Sequence, residues 1–424
     1  MIKAKKWFNV LIVTAMLLGL LAACQKAAPT ATPKPAAKPT EVPPAAPPTE
    51  PIKIGGIGPL SPPGTPALGE EIMNAFQLRI DEINAAGGLL GRRVELVFED
   101  SGGAPEKGTA AMEKLINKDK VVAISGEGHS SALLAEMEVA RRNHVVLLDT
   151  EAWSDQIRLR GYQEVFCIPA SNTLFNAKIA EFVANAGFAR PFLLSEDTDF
   201  GVECIDMLAK EFDAMGLAYD SLVVDRTTKD WVPFLLQAQQ FNPDILVVNV
   251  TGVGAYLIIK QAKEIGLAPT ADCALFSGTA DMGYPELWDT AGASAQYVVW
   301  ETAIHPKAQY TELTQPFVDK YTSTYGRPPT YSGLQAYDCM LVFETAIKEA
   351  GSTDTDAIIE AMEKITVRGT RGEMSFPTEP GVYYHQADVP LLFLQYTEVN
   401  QTPDKCEIVF PSELQTKELQ KPLE

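Results

Sequence analysis

The sequence predicts an α/β protein with two lobes, each built on a doubly wound parallel sheet. Three observations lead to this fold class. From residue 52 onward, short β-rich runs alternate with segments of helical periodicity, which is typical of parallel sheets. The alternation starts again near residue 174, so the chain contains two such units. About 370 residues follow the N-terminal segment, which is more than one hydrophobic core usually supports.

The first unit begins with a β-rich run, Ile52–Gly58, that is followed by proline, serine and glycine, residues that favour a turn. The next apolar residues recur at helical spacing until Gly87 and Gly88, and glycine past a helix end is a common stop signal. The elements expected in this unit are strands at 52–58, 94–98, 121–125 and 145–149 and helices at 69–86, 105–118 and 130–142.

The second unit follows the same pattern and is succeeded by three further helices. In open parallel sheets, ligands bind beyond the carboxyl ends of the strands, so the loops at those ends are expected to carry the functional residues. The expected elements are strands at 192–195, 218–224, 245–250, 274–276 and 296–299 and helices at 174–186, 201–214, 234–240, 255–265, 313–325, 334–350 and 354–364.

The N-terminal segment predicts export and a membrane anchor. Three lysines precede an apolar run from Trp7 to Leu21, and this run is shorter than the roughly 20 residues that a helix needs to span a bilayer. The sequence from Leu21 to Cys24 resembles the lipobox of bacterial lipoproteins. That resemblance implies a signal peptide at 1–23, cleavage before Cys24 and a lipid on the Cys24 sulfur. The alternative is an ordinary secretory signal with an incidental cysteine.

Residues 24–51 are expected to form a tether. After Cys24 the chain is almost entirely proline, alanine, threonine, lysine and glutamate, a composition that cannot bury enough apolar surface to fold. The folded part is therefore expected to be held by its lipid to the membrane outside the cytoplasm. The sequence does not distinguish a periplasmic location from the outer cell surface.

The composition excludes several classes of function. The net charge is −20, and it becomes −23 when the three lysines of the signal peptide are removed, which argues against binding to nucleic acid or to anionic lipid. The sequence has no CxxC pair and no His–Cys cluster, so neither a metal site nor a cofactor is expected. Buried thiols or one disulfide of unknown pairing are expected for the remaining cysteines, at positions 167, 204, 273, 339 and 406.

The loop Gly126–Ala132 connects a predicted strand to a predicted helix and contains two adjacent serines. Ser130 and Ser131 are expected to cap the free backbone amides at the start of the helix. Those amides also form a site for an anion or a carboxylate when a ligand is present.

The same loop differs by one residue from the G-x-S-x-G turn of serine hydrolases, with Ser130 as the nucleophile. Three histidines follow in the order that a catalytic triad requires, His144, His305 and His385. No local signature marks an acid or a base, so we expect a protein without catalytic activity and keep the hydrolase as an alternative.

A longer series of motifs resembles the branched-chain amino-acid-binding family, which binds leucine, isoleucine and valine. The resemblance begins with the sequence from Ile83 to Arg92 and with Phe98–Ser101. It extends from Ile52 to about Tyr396, and its specificity comes from the order and spacing of motifs that are individually loose. The other matching segments are 122–130, 160–162, 165–166, 200–201, 336–338, Phe376 and His385.

This resemblance implies the substrate-binding protein of an ABC importer with the type I periplasmic binding fold. Two lobes joined by hinge crossovers would close on a small molecule, and the closed form would engage a membrane permease. A monomer is expected, and a ligand-sensing receptor of the same fold is the alternative. The expected boundaries are 52–172 with 303–367 for the first lobe, 173–302 with 368–400 for the second, and 401–424 for a C-terminal tail.

The resemblance also assigns ligand-binding residues. In the amino-acid binders of this family, the serine at the position of Ser130 holds the ligand carboxylate with help from backbone amides. The resemblance, together with the loop at 126–132, places seven further residues at the ligand: Leu68, Ser131, Glu151, Trp153, Phe200, Thr251 and Thr279.

Two departures from the family pattern bear on the ligand. Trp153 replaces a hydroxyl residue that grips the carboxylate, and Thr279 lies where an acid pairs with the α-ammonium group, with Asp281 two residues on. A buried ammonium group without a carboxylate partner is unfavourable. The sequence therefore favours a small organic or aromatic acid or an amide over a free branched-chain amino acid. Glu151 keeps an amine-bearing ligand as the alternative.

Overall fold

The computed structural model describes residues 50–308 and 311–423, with two open sheets covered by helices on both faces. The predicted signal peptide, Cys24 and nearly all of the predicted tether lie outside the described residues. Each sheet has helices on both faces because its strands are joined by right-handed helical crossovers. We call each sheet with its helices a lobe.

The first lobe begins the chain and alternates strands with helices. Apolar residues at helical spacing, among them Ile72, Phe76 and Ile80, give its first helix a buried face. The elements in chain order are β1 (Ile52–Gly58), α1 (Pro66–Ala85), β2 (Val94–Asp100), α2 (Pro105–Lys114), β3 (Ala123–Gly126), α3 (Ser130–Asn143), β4 (Val146–Asp149), α4 (Gln156–Leu159) and β5 (Val165–Cys167).

The second lobe continues the alternation. Its elements are α5 (Asn172–Asn185), β6 (Pro191–Glu196), α6 (Asp199–Met215), β7 (Asp220–Val224), α7 (Val232–Phe241), β8 (Ile245–Asn249), α8 (Val253–Glu264), β9 (Ala274–Ser277), α9 (Glu286–Ala291) and β10 (Val299–Thr302).

The remaining chain serves both lobes in turn. Helix α10 (Thr314–Tyr325), α11 (Tyr331–Ala350), α12 (Thr355–Met362) and the hairpin of β11 (Val367–Gly369) and β12 (Gly372–Met374) belong to the first lobe, where α11 packs along α1. Strands β13 (Leu392–Gln395) and β14 (Glu407–Phe410) pair antiparallel at the edge of the second sheet.

The two sheets repeat one strand order. The first sheet is β2-β1-β3-β4-β5, all parallel, and the second contains β7-β6-β8-β9-β10 in the same arrangement before β13 and β14 are added. In this order the connections leave in opposite directions from the middle of the sheet, and a crevice forms at the carboxyl ends of the strands there. The predicted fold class is confirmed.

Each sheet has a hydrophobic core on both faces. One face of the first sheet packs on α1 and α11, with Phe76 and Phe343 fully buried, and the other packs on α2 and α3. The second sheet is covered on one side by α7 and α8, which enclose Trp231, and on the other by α5 and α6. Each lobe therefore has two hydrophobic cores, one on either side of its sheet, as expected for a layered α/β structure.

The chain passes between the lobes three times: after β5, after β10 and after β12. Arg158 joins two of these connections, since it donates to the carbonyl oxygens of Pro169 and Ala170 after β5 and to Gln386 after β12. Its guanidinium donates to the carbonyl oxygens of Ala152 and Ser154, both over 3.0 Å, and its Nε donates to Oε1 of Gln386 over 2.7 Å. The arginine is fully buried, so these bonds exchange little with water.

Several elements differ from the sequence-based expectation. Strand β10 begins at Val299 rather than at residue 296, and the helix expected at 105–118 changes after Lys114 to a π-helical turn, Leu115–Asp119. Strands β5, β11, β12, β13 and β14 were not anticipated, and β14 lies within the segment expected to be a tail.

The five cysteines of the described residues are buried free thiols. No helix between residues 50 and 308 or between 311 and 423 has the length and apolarity needed to cross a membrane.

Candidate functional site

A cavity with an empty volume of about 550 Å³, part of it open to solvent, lies where the carboxyl ends of the two sets of strands meet. The eight residues predicted from the sequence to contact a ligand all line this cavity. Its lining is Thr65, Leu68, Gly128, His129, Ser130, Ser131, Glu151, Trp153, Glu196, Thr198, Phe200, Arg226, Thr251, Gly278, Thr279, Asp281, Glu301 and Tyr331. Contact of these residues with a ligand stays a prediction.

Ser130 begins α3 and is buried at the floor of the cavity. Its Oγ accepts hydrogen bonds from the backbone amides of Trp153 over 3.2 Å and Ser154 over 3.1 Å. Because these bonds use its lone pairs, the single hydroxyl hydrogen remains to be donated. No side chain caps the first turn of α3, so its amides also face the cavity end of the helix as donors.

The apolar part of the lining comes from Leu68, Trp153 and Phe200. The Trp153 ring meets Phe175 edge to face with 4.8 Å between centroids, so this ring belongs both to the core of the second lobe and to the cavity. Gly128 leaves room for Leu68, since a Cβ at position 128 would lie 2.3 Å from the leucine Cδ2. These side chains offer apolar faces to a ligand.

The two lobes are in contact across the mouth of the cavity. The backbone amide of Asp199 donates to Oγ of Ser131 over 3.1 Å. The guanidinium of Arg226 donates to the carbonyl oxygen of Gly103 over 2.8 Å and contacts Nδ1 of His129. Burial, and then the charge of Arg226, lower the pKa of His129 to about 3, so its ring is neutral, and in the tautomer with its proton on Nε2 the Nδ1 atom accepts a hydrogen bond from the guanidinium. The described conformation is therefore a closed one.

Thr251 and Thr198 hold the carboxylate of Glu196. One carboxylate oxygen accepts from both the amide and the hydroxyl of Thr251 over 2.8 Å, and the other accepts from the Thr198 hydroxyl over 2.6 Å. The Thr251 side chain therefore contacts Glu196. This acid was not among the predicted ligand contacts, although it is the last residue of β6 and adjoins a loop that was expected to carry functional residues.

An acid is present in the region where the sequence indicated its loss. Asp281 lines the cavity with Thr279, and its carboxylate accepts from the backbone amide of Gly252. Burial raises the pKa of Asp281 to about 6, and the charge of Glu196 also raises it. The side chain of Thr279 beside this carboxyl acts in the opposite direction and lowers the pKa of Asp281. The cavity therefore contains an acid two residues beyond Thr279.

Glu301 and Glu151 add two more carboxyl groups. Oε1 of Glu301 accepts from the Tyr331 hydroxyl over 2.8 Å, whereas its Oε2 is buried with no partner in the described part of the chain. Glu151 accepts from the side chains of Ser332 and Gln335 at the start of α11. Burial raises the pKa of Glu301 to about 8 and that of Glu151 well above its usual value.

The histidines are placed unfavourably for a hydrolase. The hydrogen bonds of the Ser130 hydroxyl are to backbone amides, and the ring of neighbouring His129 contacts Arg226 and the amide of Thr65 instead. The three other histidines contact groups away from the cavity: Glu164 and Asp356 for His144, Lys307 for His305, and Val165 and Glu363 for His385.

Comparison with known proteins gives consistent results. The sequence model of a family described as periplasmic binding protein matches residues 51–401. A leucine-, isoleucine-, valine-, threonine- and alanine-binding protein of Pseudomonas aeruginosa is 22% identical over 330 residues, which are 77% of this chain and 85% of that relative.

Solved structures show the same fold. A leucine-binding protein from Thermotoga maritima has a TM-score of 0.75 at 23% identity, covering 84% of this chain and 97% of its own. A second similar structure is a solute-binding protein of an ABC transporter from Rhodopseudomonas palustris in complex with 3,4-dihydroxybenzoic acid. Its TM-score is 0.71 at 23% identity, and the match covers 81% of this chain and 92% of that protein. The family match spans both lobes and all three crossovers, and the chain belongs to the periplasmic binding protein family.

Proposed function

We propose that the protein is the extracytoplasmic substrate-binding component of an ABC importer. The observation that carries this proposal is the cavity at the carboxyl ends of both sheets, closed across its mouth by Arg226. A cavity shared by two lobes couples ligand binding to their closure, because the ligand gains contacts with the second lobe only in the closed form. The closed form is then the shape that a membrane permease recognises.

The ligand is a small organic molecule. Relatives are named as binders of branched-chain amino acids, threonine and alanine, and one similar structure holds an aromatic acid. The Ser130 hydroxyl and the free amides of α3 supply donors for a carboxylate or carbonyl oxygen, while Trp153 and Phe200 supply apolar faces. Ser131, Glu151, Thr251, Thr279 and Leu68 complete the proposed set of contacts.

A thermal-shift screen with small-angle scattering tests this function. Amino acids, aliphatic and aromatic acids, amides and polyamines are added to the purified full chain. A true ligand at a hundredfold its Kd adds about 2.7 kcal/mol to the free energy of unfolding and lowers the radius of gyration. Stabilisation by no compound, with no change in scattering, contradicts the proposal. Labelling of Ser130 by a fluorophosphonate probe would instead indicate a hydrolase.

We also propose that the chain is lipid-anchored through Cys24. The basic head, the apolar run and the cysteine after two alanines support this proposal. Cys24→Ser is expected to release the protein in soluble form or to leave the signal uncleaved, with the ligand affinity unchanged. Equal membrane retention of the variant contradicts the anchor. In a pull-down from membranes the wild type is expected to recover a permease, and recovery of a receptor would indicate a sensor.

A further inference from the structure

The cavity has an excess of acidic groups. Four buried carboxyl groups line it, those of Glu151, Glu196, Asp281 and Glu301, and none of the four residues is more than 5% exposed. Among the described lining residues, the opposing cation is Arg226 at the mouth, where it already donates to the first lobe, and outside the lining the charge of Arg371 lowers the pKa of Glu151. A monocarboxylate or a neutral zwitterion would leave most of this acidity unpaired.

The four carboxyl groups influence one another in the order Glu151, Glu301, Asp281 and Glu196, and we call this series the row. After the dominant effect of burial, the charge of Glu301 raises the pKa of Glu151, that of Asp281 raises the pKa of Glu301, and that of Glu196 raises the pKa of Asp281. Each acid therefore lies within electrostatic range of the next. An occupant that follows the row would meet negative charge at several points along its length.

One polar atom of this row has no partner. Oε2 of Glu301 is buried and has no hydrogen-bond partner among the described residues, although nearly all buried polar atoms in proteins are hydrogen-bonded. Its partner would have to come from a ligand or from water. The described residues contain no group of three or more acids, histidines or cysteines arranged to hold a metal ion.

We propose that the ligand of this cavity is an aliphatic compound with two cationic nitrogen groups, either a diamine or a basic amino acid. This inference depends on the proposed function. One nitrogen lies between Asp281 and Glu301, where the unpartnered oxygen is, and the second reaches another acid of the row. The apolar chain between the two nitrogens packs against Trp153 and Phe200, whose rings also favour a nearby cation.

Binding of such a ligand is linked to proton release. With its pKa raised to about 8, Glu301 is mostly protonated in the empty cavity at neutral pH, whereas Asp281, whose pKa is about 6, holds its proton chiefly below pH 6. A cation favours the charged carboxylates, so these protons leave when it binds. The affinity for a dication is therefore expected to increase at least tenfold from pH 6 to pH 8.

Isothermal titration calorimetry of the full chain in detergent tests the inference. The probes are 1,4-diaminobutane, L-lysine, L-leucine and benzoate, each titrated in two buffers of different ionisation enthalpy. At pH 8 we expect at least one of the two dications to bind at least tenfold more tightly than leucine and benzoate, with net proton release. Tighter binding of L-lysine than of diaminobutane indicates a ligand carboxylate held at Ser130. Tighter binding of diaminobutane indicates a diamine ligand. Both results support the inference.

Variants give a second measurement. Glu301→Gln and Asp281→Asn are each expected to lower the dication affinity at least tenfold and to reduce the released protons. Glu264→Gln, which changes an exposed acid of α8 outside the cavity, is expected to change neither. Circular dichroism checks that the variants fold, and proton release by the wild type tests the inference even where a variant does not fold.

The outcomes separate the inference from the proposed function. Tight binding of leucine or benzoate, with dications no better, overturns the inference and leaves the proposed function standing. Absence of dication binding, together with absence of binding and closure for every compound of the thermal-shift screen, overturns both.

Discussion

The guanidinium of Arg226 donates a hydrogen bond to Nδ1 of His129 over 3.2 Å, and these two residues stand on different lobes. The bond requires a neutral imidazole, which burial and the nearby positive charge ensure by lowering the pKa of His129 to about 3. The same guanidinium donates to the carbonyl oxygen of Gly103. One side chain of the second lobe therefore holds two groups of the first.

Removal of this contact is expected to favour an open protein. Arg226→Ala deletes two hydrogen bonds from a charged donor, each worth about 1.5 kcal/mol at a partly exposed site. We expect the ligand Kd to rise about tenfold or more, and the radius of gyration without ligand to increase in small-angle scattering. Arg190→Ala is the matched control, because that guanidinium donates to the carbonyls of Phe241 and Asn242 within its own lobe. Equal scattering curves for Arg226→Ala and the wild type would contradict this role.

Ser130→Ala is expected to weaken both the fold and the binding of ligand. The substitution leaves the buried amides of Trp153 and Ser154 without their acceptor, which costs about 1–3 kcal/mol of unfolding free energy. It also removes the hydroxyl hydrogen available to the ligand. Chemical denaturation and calorimetry measure the two effects. Ser323→Ala, at an exposed position of α10, serves as the control. Unchanged affinity in the alanine variant would remove Ser130 from the proposed contacts.

The stability that Asp281 and Glu301 contribute to the ligand-free protein is expected to fall as pH rises from about 4 to about 8. Burial raises the pKa of Asp281 to about 6 and that of Glu301 to about 8 in the folded state, against about 4 in the unfolded chain. Between these values the folded state binds more protons, so increasing pH favours unfolding.

Glu301→Gln tests this pH dependence. The variant carries no ionisable group at that position, so its melting temperature is expected to exceed that of the wild type at pH 8 and to match it near pH 5. The difference at pH 8 corresponds to a few kcal/mol, since one pKa unit is about 1.4 kcal/mol. Parallel melting curves across the whole pH range would show that Glu301 ionises as freely as an exposed acid.

Arg158→Lys is expected to destabilise the hinge strongly. A lysine ammonium cannot reproduce the planar set of bonds that the arginine makes to Ala152, Ser154 and Gln386, so buried carbonyl oxygens lose their donors. We expect a loss of about 3–5 kcal/mol, seen as a lower melting temperature or as failure to fold. Arg160→Lys, two residues further at an exposed position, is expected to cost less than about 1 kcal/mol. Similar losses for both variants would argue against a hinge role for Arg158.

Much of this architecture follows from local sequence patterns. The apolar strands of both lobes and the amphipathic helices between them are marked by periodicity and by glycine stops, as at Gly87. Strand β5 has three residues and is too short for a periodic signal. Strands β13 and β14 depend on partners far away in the chain, and no local pattern specifies such a pairing.

The site was predictable where it follows strand ends and less so elsewhere. Glu151 lies in a loop after a strand, and Ser130 and Phe200 lie in the first turns of helices that follow such loops; the strand rule and the family motifs mark all three positions. Glu301 lies inside a strand and Tyr331 begins a helix after the second crossover, so neither position carries a loop signal. Glu196, Asp281 and Glu301 come together through the second sheet, and Glu151 approaches them from the first lobe across the cavity; linear spacing expresses neither relationship.

Strand β10 acquires its partner β13 about ninety residues later, after the chain has returned from the other lobe. During synthesis from the N terminus, the second sheet therefore ends for a time in an unpaired parallel strand. Exposed backbone groups on such an edge are a template for pairing with another chain. A chain that stops before residue 392 leaves this edge unpaired, so it is expected to aggregate more readily than the full chain.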